Sequence, residues 1–190
     1  MFLPLDNMKA LQAASVVALA EGRRIGKLRL LKLLYIADRR SLKETGRPLL
    51  GCKAVAMDHG PLHSDVLKAL DNLHPKSHEW ARHFQQQSKR DFVLKSPADN
   101  NALSRYEIEL LQDVVAQHEQ IDDWHLSELT HDFEEWKKHW QPGTSRAIPL
   151  EDIIDAVGRG SDKTAILTDL QDDLAFDQFF FGHQLMSTKS

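Results

Sequence analysis

The chain has 190 residues, 42% hydrophobic and 27% charged, with a formal net charge of -4; this gives room for one full core, with or without an appendage, and excludes disorder, fibrous repeats and two large domains. Cys52 is the single cysteine, which excludes an internal disulfide and fits a reducing compartment. No run reaches the roughly 18 apolar residues that span a bilayer.

Charge is unevenly placed along the chain. Residues 21–44 are dominated by Arg and Lys, whereas residues 107–135 hold acids and no Lys or Arg. A dipolar surface is expected, suited to partners that are charged in patches. The N-terminal apolar run is broken by Asp6, Asn7, Lys9 and Gln12 and has no basic segment before it. It reads as an amphipathic helix of a cytoplasmic protein, not as an export signal.

Asp6 or Asn7 caps a helix running to about residue 21, with Met8, Leu11, Ser15, Ala18 and Leu19 at helical spacing and Gly22 as its stop. The second helix lies in GKLRLLKLLYIADRRSLKETGRP, residues 26–48, and ends at Gly46 with Pro48 just beyond. Leu30, Leu31, Leu33, Leu34, Ala37 and Leu42 fan around more than half of it, and Asp38 falls inside that apolar sector. Opposite lies a basic stripe of Arg29, Lys32, Arg39, Arg40 and Lys43, interrupted by Ile36. A buried carboxylate needs donors, so Asp38 is expected to accept hydrogen bonds from the HGP turn at residues 59–61 or from the helix expected to open at Pro61.

Residues 49–61 read as a short strand or extended segment, and the helix from Pro61 is expected to end near Leu73. Residues 81–85 and 92–95 read as a small hairpin. Ser104 and Glu107 form a predicted capping box for a helix with Ile108, Leu111, Val114 and Val115 on one face. Two short helices are expected within residues 122–140, and one more ends at Gly158. Residues 158–190 read as a linker, a final amphipathic helix with Leu167, Leu170, Leu174 and Phe181 at helical spacing, and a polar tail. The final helix is expected to dock back on the domain of residues 1–157. The fold class is mainly α, a compact multi-helix domain with a small β-hairpin or short strands.

Few residues ask for chemistry. His74, His78 and His83 are not offered by one helix face, with His78 placed in a loop, and no cysteine supports them, so no metal is expected. Cys52 and His59 lack a third orienting group, and a buried small thiol is the plainer reading. There is no phosphate-cradling glycine loop or nucleophile elbow. The chain is therefore expected to be a binding protein without a cofactor, not an enzyme. The stripe admits a solvated face, a protein contact or a phosphate track, and the pI near 6.2 speaks against general nucleic-acid affinity.

KLLYIADRRSLKETGRPLLG followed by KAVAMDHGPLHSDV resembles the SocA-like Panacea antitoxin domain. The likeness lies in Lys32, Leu33, Leu34, Tyr35 and Ala37, in Thr45, Gly46, Arg47 and Pro48, in Ala56, Met57, Gly60 and Pro61, and later in Leu129, Thr130, His131 and Trp136. It covers roughly residues 27–140. After Gly-Pro the family commonly continues Val-Pro, where this chain has Leu62 and His63. The resemblance implies a mainly α domain that neutralises a toxin encoded nearby by direct binding; from the sequence itself no membrane contact is expected, and the charge balance disfavours nucleic acid. Tyr35, Asp38, Gly46, Arg47, Pro48, Gly60, Pro61 and Trp136 would then be scaffold. Arg29, Lys32, Ile36, Arg39, Arg40 and Lys43 are the expected contact residues, and a nucleic-acid-binding regulator using that stripe is the alternative.

Overall fold

The computed structural model describes residues 1–181, the last by its backbone alone, so the expected polar tail lies outside the described residues. Of the described residues, 57% are helical. Helix α1 (Asn7–Ala20) is capped by Asp6, whose carboxylate accepts from Lys9 N. The three-residue strand β1 (Arg24–Gly26) leads into α2 (Lys27–Thr45), which ends at Gly46 with φ +77°. That left-handed cap needs the glycine expected from sequence.

Strands β2 (Ala54–Met57) and β3 (Gly60–His63) form a hairpin in which Met57 faces Gly60 and Ala56 faces Pro61. Pro61 is thus a strand residue, and α3 (Ser64–Leu70) opens three residues later than its sequence implied. Its fixed φ suits an extended segment as well as a first helical turn. Next come α4 (Ser77–His83), β4 (Phe84–Gln86) and β5 (Asp91–Leu94). The expected hairpin forms, but residues 81–83 belong to α4, and so does His78, which was expected in a loop.

Helix α5 (Arg105–Gln117) carries both halves of the Ser104–Glu107 capping box. Helices α6 (Asp123–Thr130), α7 (Glu134–His139) and α8 (Leu150–Ala156) follow, with β6 (Arg146–Ile148) before α8, and α9 (Lys163–Phe181) comes last. Two antiparallel three-stranded sheets result, ordered β1-β5-β4 and β3-β2-β6.

Helix α2 is the axis of the molecule. Leu30, Leu31, Leu33 and Leu34 enter one apolar cluster with α1, α5 and the first sheet. Tyr35 and Leu42 enter a second cluster with β2, β6, α8 and the first half of α9, through Ile166 and Leu170. A helix packed on several sides has no free polar face. Among the described residues, no helix is long and apolar enough to cross a membrane.

Candidate functional site

Because α2 is enclosed, its polar side chains must find partners inside the protein. The solvent-facing stripe expected from helical phase is therefore corrected. Arg29 is buried: Nε pairs with Glu21 at 2.8 Å, and the guanidinium donates to the Ile121 and His118 carbonyls at 2.7 and 3.0 Å. Lys32 is wholly buried, its Nζ donating to Pro61 O at 2.8 Å. Arg39 and Ile36 are half-buried; Arg39 Nε holds Glu135 at 2.9 Å, and its guanidinium sits 4.2 Å over Phe133. Arg40 pairs with Glu44 at 2.7 Å, and Lys43 alone of the five bases is exposed. A continuous phosphate track is absent on this face.

Of the residues expected to be scaffold, Tyr35, Asp38 and Trp136 meet the β2–β3 hairpin, to which Gly60 and Pro61 belong, whereas Gly46 and Arg47 lie against α9. Asp38 is buried, as its helical phase requires, but its donors are Leu50 N at 2.6 Å and Gly51 N at 3.2 Å. Its counter-charge is His63, with Nε2 3.1 Å from Oδ2. The HGP turn itself does not reach it. Burial pushes the Asp38 carboxyl up, but the His63 charge and the hydrogen bonds outweigh this and hold it below its ordinary value. Burial opposes the His63 cation, and Cys52 together with Asp38 raises it well above the usual imidazole range.

Tyr35 donates to Glu135 at 3.1 Å, and Trp136 Nε1 donates to Met57 O at 2.9 Å, tying α7 to the hairpin. Gly60, at φ +87°, lies against the α6 end: a Cβ there would overlap Thr130 Oγ1 and come 2.8 Å from Lys32 Nζ. Ser41 Oγ donates to Arg47 O at 2.8 Å, closing the turn after Gly46, and the exposed Arg47 side chain pairs with Asp173 of α9. Burial lowers the Lys32 ammonium to about 7, and burial followed by the Lys32 charge lowers the His131 imidazole. Of these groups Tyr35, Lys32 and Asp38 are buried, whereas Arg47 is exposed.

The surface beside this scaffold is different. A cleft of about 560 Å³ opens between the N-terminal end of α2, the hairpin, α3 and α6, with Leu28, Leu31, Met57, Leu62, Leu67 and Trp124 along it. Trp124 is 58% exposed and meets the His59 ring edge-on at 5.9 Å. Asp123 and Arg90 are at its rim. An apolar concavity edged by an exposed indole and by charge has the make-up of a protein-binding patch. Sequence reading placed Trp124 only in a short helix, since its exposure depends on how α6 meets the hairpin. His63 and Glu135 were missed as well, because their partners lie 25 and 100 residues away along the chain.

The model of one family, described as antitoxin SocA-like, Panacea domain, matches residues 30–137. That span runs from the first turn of α2 into α7 and contains Lys32, Asp38, His63, Glu135 and Trp136, while Arg29 and its partner Glu21 precede it. Comparison with curated proteins and with solved structures gives no match.

Proposed function

The chain belongs to the SocA-like Panacea-domain antitoxin family, and from that premise we propose that it neutralises a cognate toxin by direct, non-covalent contact, with no chemistry on the toxin. The observation that carries this reading is the family match across more than half of the chain. The cleft beside Trp124 supplies the anchor, an open apolar pocket that a partner side chain would fill and desolvate. Of the stripe, Ile36, Arg39, Arg40 and Lys43 still reach solvent in part; they act on encounter rate rather than on final affinity. Arg29 and Lys32 belong to the scaffold. A cytoplasmic site of action and a toxin encoded nearby are part of the same proposal.

The test is growth rescue. Cells expressing the toxic product of the adjacent reading frame should survive with the parent protein and die with Trp124→Ala, whose melting temperature should stay within a degree or two because the indole is exposed. Arg40→Glu with Lys43→Glu should slow association and leave most of the rescue. Full rescue by Trp124→Ala would move the contact elsewhere. Failure of the parent protein to rescue would remove the antitoxin reading.

A further inference from the structure

The last turns of α9 carry Phe176, Phe179 and Phe180, exposed by 58%, 68% and 53%. They pack on one another, with ring centroids 4.3 Å apart for Phe176–Phe180 and 5.1 Å for Phe179–Phe180, and join neither core cluster. The root of the helix is fixed. Ile166 and Leu170 are buried in the second cluster, and Arg47 holds Asp173. The expectation that the whole helix docks back is thus met only by its first half. Three clustered phenylalanines presented to water mark a contact surface.

Charge decides what covers it. Across residues 164–180 the helix has Asp169, Asp172, Asp173 and Asp177 and no Lys or Arg. A second copy laid on this face would oppose like charges, and anionic lipid or nucleic acid would be repelled for the same reason. A partner with Lys or Arg beside aliphatic side chains satisfies both sets of groups, since its cations meet the aspartates and the ring faces while its aliphatic carbons cover the phenylalanines.

We propose that the aromatic, acidic end of α9 is a docking surface for a basic, apolar-faced segment of the toxin. It rests on the antitoxin reading above and adds a second contact, carried by a segment beyond the family-matched region.

The test uses the full chain and, as probe, the toxic product of the adjacent reading frame. Phe176→Ser/Phe179→Ser/Phe180→Ser removes the apolar surface, and Asp172→Lys/Asp177→Lys reverses the charge at two exposed positions without touching packing. Both variants should keep the parent's melting temperature, lose about tenfold or more in affinity for the toxin, and fail to rescue growth. Should the phenylalanine variant prove unstable, the aspartate variant decides alone. Undiminished rescue and co-purification by the aspartate variant would overturn the proposal and leave the antitoxin reading standing. Concentration-dependent self-association of the parent that the phenylalanine changes abolish would also overturn it, by giving the patch to a second copy. A parent protein that does not rescue ends the antitoxin reading and this proposal together.

Discussion

Lys32 illustrates how a residue's role depends on what encloses it. Read on a helical wheel it is a surface base; in the fold it is wholly buried, with its Nζ held by one carbonyl. Burial lowers its ammonium from 10.5 to about 7, so folding favours the neutral amine. Below about 7 the folded and unfolded chains are both protonated, and the cost of burying the charge is constant. Between about 7 and 10.5 only the unfolded chain holds the proton. Stability therefore rises with pH across that window by up to about 1.4 kcal/mol per unit. Lys32→Met should flatten that rise, and the variant should be the more stable form below neutrality. Denaturant unfolding at a series of pH values checks this; parallel stability curves for variant and parent would refute it. Asp38 was the more legible residue. Its burial follows from its phase among leucines, whereas its donors depend on a loop and on His63, which local sequence does not join to it.

At the scale of elements, legibility followed local chemistry. The Ser104–Glu107 capping box, the Asp6 cap and the Gly46 stop each act within a few residues, and each forms where the sequence placed it. Strands β1 and β6 have three residues each and are defined by partners far away, Phe92 for Ile25 and Ala54 for Ile148. Such strands leave no periodicity to read. The Pro61 helix failed because an Asp-His-Gly sequence between extended residues makes a tight hairpin, with Gly60 at positive φ, before the helix can start. Helix α9 combines both cases: Ile166 and Leu170 pack, while the phenylalanines do not. Truncation after residue 158 should therefore lower stability by about 2 to 4 kcal/mol through loss of these two buried side chains. Truncation after residue 174 should leave thermal unfolding unchanged. Equal stability of the two truncated forms would show that the root of α9 contributes nothing.

For the whole molecule, the two charged runs of the sequence turn out to face each other. Arg39 meets Glu135 at 2.9 Å, Arg40 lies 3.7 Å from Asp113, and Arg29 lies 3.8 Å from Asp123. Much of the dipole expected at the surface is consumed in joining α2 to α5, α6 and α7. This explains why composition overstated the charge left at the surface of α2, where Arg29 and Lys32 are buried: pairing between distant segments is a property of the fold. Two apolar, aromatic surfaces remain outside, the Trp124 cleft at one place and the α9 phenylalanines at another. The family points to a non-enzymatic role, and these surfaces suit contact.

Silencing of the toxin by contact alone, as proposed above, can be tested directly. Purified protein mixed with the toxic product of the adjacent reading frame should co-elute with it on gel filtration, and toxin recovered from the complex after dissociation should regain full activity. Separate elution, or a recovered toxin that stays inactive, would contradict the account, the second by showing that the toxin had been covalently changed.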